Sequence, residues 1–204
     1  MFPAPILMIG LWKEAACLLD ERLGTALSLY ERCDLAADIG TDHARLPAAL
    51  LTQGICRRMI LTDLSENALA NARREITRRG LENRAELRLG DGLEPLCEEC
   101  GMISILGMGG RTIAEILTQG QNRLRGASLL LSAHTDLDQV RAAITAVGYH
   151  LDSETPCLDE GRYYLIMVAR PGEEKLTELQ LRLGVRLRES GSPRLLPYLR
   201  HPQQ

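Results

Sequence analysis

Aromatic side chains are scarce in this chain: Phe2 is the only phenylalanine, Trp12 the only tryptophan, and aromatics make up 3% of its 204 residues. Stacking platforms are correspondingly few, and Tyr163 and Tyr164 stand out as candidates. A bilayer-length apolar run is missing too. The start, Met1 to Gly10, is apolar but lacks an early basic flank, carries two prolines and is too short to span a membrane, so it reads as a packed or frayed lead-in. No membrane partner is expected. Nor is there a dense cysteine framework. Cys17, Cys33, Cys56, Cys97, Cys100 and Cys157 are scattered through a core-rich chain that does not need one, which points to the cytoplasm. Cys97-Glu98-Glu99-Cys100 has the gap of a metal or redox pair, but no second pair accompanies it, so no metal is expected. An excess of positive charge is absent as well. With a formal charge of −3 at pH 7, the whole-molecule field does not advertise nucleic-acid binding.

What is present is a 45% hydrophobic content, enough for one α/β domain with a core and a small appendage, but not for two full domains. Arginine heavily outnumbers lysine and clusters at Arg57 and Arg58, at Arg73, Arg74, Arg78, Arg79, Arg84 and Arg88, and at Arg182, Arg186 and Arg188. Such clusters fit either solvated helix faces balanced by acids or a local basic face, since arginine is the better phosphate fork.

Helical periodicity runs from about Leu11 to Tyr30, after which strand and helix alternate: a strand to Asp38, a helix to about Gln53, a strand to Asp63, and a helix from Ser65 that stops at Gly80. Glu86 to Leu89 is a short strand entering Gly90-Asp91-Gly92, and Met102 to Leu106 a buried strand entering Gly107-Met108-Gly109-Gly110. A helix follows from Arg111 to about Thr118. Leu129 to Leu131 is the next buried strand, and Thr135 with Asp138 predicts a capping box for a helix ending near Gly148. Tyr149 to Glu154 and Tyr163 to Ala169 predict an antiparallel hairpin through Leu158-Asp159-Glu160-Gly161. Seven strands with this ending predict a doubly wound α/β sheet with one antiparallel strand. Past Pro171-Gly172, Glu173 to Glu189 reads as charged helix, broken by Ser190-Gly191-Ser192-Pro193. The expected division is a main domain over 1–171 and an abbreviated helical region over 172–204.

The most informative stretch is Leu35 to Ala44, where an apolar strand runs through Asp38 into Gly40-Thr41-Asp42-His43 and a helix. In an open α/β sheet, ligands approach the chain at such strand ends. Asp63 ends the next apolar run at the distance of one βαβ unit, which suits an acid gripping ribose hydroxyls. Gly40 permits close backbone approach, and Asp91 is placed to accept from an adenine amino group. An ordinary βαβ unit with polar strand ends would share the first two features. A nicotinamide cofactor needs a G-x-G-x-x-G cradle, whereas this loop lacks the second and third glycines and puts an acid near the phosphate site. A cationic sulfonium tolerates that acid better. The residues therefore favour S-adenosylmethionine over NAD.

Ala37-Asp38-Ile39-Gly40-Thr41-Asp42-His43-Ala44, together with Gly107-Met108-Gly109-Gly110 and the closing hairpin with Tyr163 and Tyr164, resembles the bacterial tRNA (adenine-22 N1)-methyltransferase family, TrmK. The resemblance runs from about Leu18 through Gly172. It implies a Rossmann-like class I methyltransferase domain, S-adenosylmethionine as cofactor, tRNA as partner, and a helical C-terminal region that helps hold the tRNA. It places Asp38, Gly40 and Asp42 in the cofactor motif with Thr41 and His43. It puts Asp63 and Leu64 at the ribose, Gly90, Asp91 and Gly92 at the adenine, and Gly107, Met108 and Gly109 beside the methyl group. The chain departs from the family in two places. Ser132-Ala133-His134 stands where Gln-Pro and often Asn follow the fifth strand, and the C-terminal region is short.

Adenine N1 carries an in-plane lone pair and needs no deprotonation before it attacks a methyl group, so positioning and charge stabilisation are the main demands. The product is cationic. Asp42 is the best-placed acid to accept from the exocyclic amine; its other reading is a helix N-cap, worth about 1 kcal/mol. His43 falls between pocket and core. N1 lies on the pairing edge, so the target must be unpaired or flipped out. Strand alternation turns one of Tyr163 and Tyr164 toward the site. His134 either touches substrate or caps the next helix. Asp42, His134 and Tyr163 are the catalytic candidates. Other readings are a methyltransferase for another RNA or a small molecule, and a non-catalytic cofactor- or RNA-binding homologue; monomer and weak dimer both remain open.

Overall fold

The computed structural model describes residues 19–187 and residue 198. In chain order the elements are α1 (Glu21–Ser28), β1 (Cys33–Ile39), α2 (Arg45–Thr52), β2 (Cys56–Asp63), α3 (Glu66–Arg78), β3 (Ala85–Leu89), β4 (Met102–Met108), α4 (Gly110–Gln119), α5 (Gln121–Leu124), β5 (Ser128–Ala133), α6 (Leu137–Ala146), β6 (Tyr149–Asp159), β7 (Arg162–Pro171) and α7 (Glu178–Leu183). Among the described residues the strands form one seven-stranded sheet in the order β3-β2-β1-β4-β5-β7-β6. Pairing is parallel from β3 to β5, and β7 runs antiparallel to both β5 and β6. This is the expected doubly wound sheet with one antiparallel strand, a Rossmann-like α/β fold.

Helices cover both faces of the sheet, so its strands read as near-continuous apolar runs. Alternation divides them cleanly. Ala37, Ile39, Ile60, Ile103, Ile105 and Leu129 pack into one core cluster, and Ala36, Met59, Leu61, Met102 and Leu130 into the other. Strand order reverses between β1 and β4, where the connecting loops diverge and leave a crevice at the carboxyl ends.

Three sequence expectations change. Helix α1 begins at Glu21, with the Asp20 side chain accepting from the Leu23 amide; residues 11–18 of the longer expected helix, and the lead-in before them, lie outside the described residues. The Thr135–Asp138 capping box does not form. Thr135 Oγ1 instead donates to Asp136 Oδ2 at 2.7 Å, and Asp136 starts α6 in the left-handed region at φ 51° without a side-chain cap. Lastly, the single helix expected over Glu173 to Glu189 shrinks to the six residues of α7, opened by a capping box between Thr177 and Gln180. The chain turns out of that helix because buried groups of the main core capture its backbone. Glu154 Oε2 accepts from the Val185 and Arg186 amides at 2.7 and 2.8 Å, while Arg141 Nη1 donates to the Leu181 carbonyl at 2.7 Å. Residues 188–197, including the Ser190 to Pro193 break, lie outside the described residues.

Candidate active site

Parallel register brings the strand ends level: Ile39 pairs with Thr62 on one side and Ile105 on the other, and Asp63 pairs with Leu89. The loop after β1 is pinned to β2, with the Gly40 and Thr41 amides both donating to the Thr62 carbonyl at 2.8 and 3.0 Å. It then passes through left-handed backbone at Gly40 (φ 71°), Asp42 (φ 45°) and Ala44 (φ 51°). Two of these are not glycine, and such backbone is held only where surrounding contacts over-determine it.

Asp38 is buried and accepts from Ser104 Oγ at 2.6 Å. Burial pushes its carboxyl up to about 6, against the opposing pull of the Ser104 hydrogen bond. Beside it the buried Thr41 hydroxyl also pulls the Asp38 carboxyl down, but it reaches no partner at full hydrogen-bond geometry among the described residues. Asp63 braces the loop from below: one carboxylate oxygen accepts from the Ser65 amide at 2.9 Å, the other from the Asp42 amide at 3.3 Å. Asp42 and His43 are both exposed, with His43 Nδ1 2.7 Å from Asp42 Oδ2. Asp42 caps no helix, because the N-cap position of α2 falls two residues later on Ala44, which makes no side-chain cap bond. Its carboxylate is free of that structural duty.

Asp38, Gly40, Thr41, Asp42, His43, Gly107 and His134 all line one cavity of about 280 Å³, together with Asp20, Arg22 and Leu106. Gly40 is constrained from above as well, since a Cβ on it would overlap the Met108 Cε methyl. The remaining cofactor candidates follow the same strand-end edge without lining this cavity. Leu64, beside Asp63, and Leu89, before Gly90, are unusually exposed at 69% and 53%. Asp91 is exposed, and the Gly92 carbonyl accepts from Thr62 Oγ1 at 3.5 Å. Gly109 precedes α4, and the His134 amide donates to the Met108 carbonyl at 2.9 Å.

His134 does not cap α6. Its exposed ring meets Tyr164 edge-on, with centroids 5.6 Å apart, and the Arg22 guanidinium lies 5.5 Å from the Tyr164 centroid. Tyr164 is thus a tyrosine in ring contact with two residues of the strand-end cavity, a contact that the sequence reading assigns to Tyr163. Successive residues of β7 point to opposite faces, and Tyr163 packs against Tyr198, while an adjoining cavity of about 730 Å³ is lined by His134 and by both tyrosines. Sequence reading missed Asp20 and Arg22. The signal existed, since Asp20-Glu21 is an acidic helix start, but apolar periodicity from Leu11 masked it.

Among the described residues the charged liners are Asp20, Asp38 and Asp42 against Arg22 and Arg45, an acidic balance that favours a ligand carrying positive charge. The buried Thr41 hydroxyl, which makes no full hydrogen bond among the described residues, supplies a polar contact, and Gly40 lets the loop approach Met108 of the facing turn more closely than any side chain would allow. These residues fit a sulfonium cofactor.

A family model described as "Methyltransferase domain" matches residues 19–167. The chain is 31% identical over 157 residues to the tRNA (adenine(22)-N(1))-methyltransferase of Bacillus subtilis (strain 168), a match covering 76% of this chain and 66% of that protein. Among solved structures it is similar to the B. subtilis m1A22 tRNA methyltransferase TrmK, with TM-score 0.81 and 28% identity over 88% of this chain and 80% of that one. Streptococcus pneumoniae Sp1610 in complex with S-adenosyl-L-methionine matches with TM-score 0.82 and 29% identity, covering 87% of this chain and 85% of that one.

Proposed function

Because this chain belongs to the methyltransferase-domain family, with S-adenosylmethionine as its cofactor, we propose that it methylates N1 of adenine 22 in tRNA. One observation carries the reading: the Asp-Ile-Gly-Thr-Asp-His loop and Gly107, which opens the Gly-Met-Gly-Gly turn, are distant in sequence but line one acid-bearing cavity with His134.

The cofactor, when bound, supplies an electrophilic methyl group. Around it Asp38, Gly40, Thr41 and His43 hold the amino-acid end, Asp63 accepts from the ribose, and Leu64, Gly90, Asp91 and Gly92 shape the adenine end. Gly107, Met108 and Gly109 flank the transfer position. The target adenine needs no base to activate N1, so the protein's work is alignment and charge stabilisation. Asp42 accepts from the exocyclic amine and favours the cation formed on the base. His134, backed by Tyr164, positions the flipped ring.

Incubation with labelled cofactor and unmodified tRNA, followed by nucleoside analysis, tests this. The expected product is 1-methyladenosine, lost when adenine 22 is replaced by another base. Label in a different nucleoside, or none in tRNA, overturns the proposal.

A further inference from the structure

The face of α3 beside the site carries a charge pattern that the methyl-transfer reading does not use. Asn71, Arg74, Glu75 and Arg78 recur at three- and four-residue spacing, so they share one side of the helix. A groove of about 460 Å³ runs along that side, lined among the described residues by Arg45, Arg74, Arg78 and Arg79 against one acid, Glu75. Glu75 also organises the groove. It receives Arg78 through two nitrogens at 2.8 and 2.9 Å and Arg79 Nε at 2.6 Å, which fixes two guanidinium planes before anything binds. Arg74 stays exposed, steadied by Asn71 Oδ1 at 3.2 Å. Planar, pre-oriented guanidinium forks match the paired oxygens of a phosphate.

The groove adjoins the strand-end cavity, with His43 and Arg45 lining both. A polymer that lowers one base into that cavity must lead its backbone away from it, and the groove provides an anion-attracting exit. The formal charge of −3 makes this local excess of arginine the more distinctive. We propose that the α3 groove carries the phosphate backbone of the RNA next to the target nucleotide, an inference that rests on the RNA-methylation reading above.

The test uses the full chain and an unmodified tRNA transcript. Arg74→Ala with Arg78→Ala is compared with wild type and with a charge-matched control, Arg57→Ala with Arg58→Ala, at the far end of β2 where both residues are exposed. Filter binding across a salt series is expected to show about tenfold weaker tRNA affinity for the α3 pair near 0.1 M salt. Its log–log salt slope should be shallower by about 1.5, since each lost phosphate contact removes roughly 0.7 to 0.9. Cofactor affinity and the control should match wild type. Arg74→Gln alone leaves both Glu75 pairs in place and should move tRNA binding in the same direction by about threefold, which covers the case in which the double variant is unstable. Wild-type affinity and slope in both α3 variants overturn the groove, and so does an equal loss in the control. Nucleoside analysis of wild type reads the activity separately: groove-dependent binding without 1-methyladenosine would sink the methylation proposal and leave the docking surface standing.

Discussion

Replacing Glu154 by glutamine should be among the most destabilising conservative changes available in this chain. Glu154 and Arg141 are almost fully buried, their side chains 0% and 1% exposed. The carboxylate uses both oxygens: Oε1 accepts from Arg141 Nε at 2.7 Å, and Oε2 accepts from the Val185 and Arg186 amides. A glutamine amide can place one oxygen toward one of these sets but must present N–H donors to the other. Either the Arg141 guanidinium or two backbone amides then lose their acceptor inside the core. Breaking a buried charge pair on one side costs about 3–5 kcal/mol, and a buried donor left without a partner adds roughly 1–3 kcal/mol. Relaxation of the segment after α7 can recover part of this by letting water reach the freed amides. The expected net loss is about 3–4 kcal/mol, which for a chain of this size lowers Tm by roughly 6–16 °C. Equilibrium urea unfolding gives the free energy, and amide exchange at Val185 and Arg186 shows whether the tail opens first. Cofactor affinity should be little changed, since neither residue lines the strand-end cavity. A loss under 1 kcal/mol, with protection at Val185 and Arg186 intact, would refute the view that this pair holds the tail on the core.

Three further outcomes are expected. Gly40→Ala forces a left-handed alanine, about 1–2 kcal/mol, and displaces Met108; calorimetry should show weaker cofactor binding, and adding Met108→Ala should recover part of the stability but not the backbone component. Asp42→Asn, at a φ that asparagine also tolerates, should lower the single-turnover methylation rate about 10²-fold while the cofactor Kd changes little, and a wild-type rate would remove Asp42 from the chemistry. Because burial raises the Asp38 carboxyl to about 6, the folded state holds its proton more tightly than the unfolded chain does. This group's contribution to stability therefore falls as pH rises from about 4 to about 6, by at most roughly 3 kcal/mol. Asp38→Asn should flatten that part of the pH–stability curve and gain on wild type above pH 6, as thermal melts across pH would reveal.

The sequence alone determined the strand-and-helix alternation and the chemistry at the strand ends, because both are local patterns. Apolar runs stop at Asp38, Asp63 and the Gly107 to Gly110 turn, and a parallel sheet then delivers those stops to one edge whatever the details of packing. Tertiary structure decided everything that depends on partners far away in the chain. Arg22 joins the cavity because α1 is held down across the sheet, its Glu21 amide donating to Asp159 Oδ1, 138 residues away. Tyr164 rather than Tyr163 meets His134 because the phase of β7 is set by its pairing with β5 and β6, not by its own composition. The expected long terminal helix stops at Leu183 because Glu154 and Arg141 offer its backbone buried hydrogen bonds that helix propensity, a few tenths of a kcal/mol per residue, cannot match.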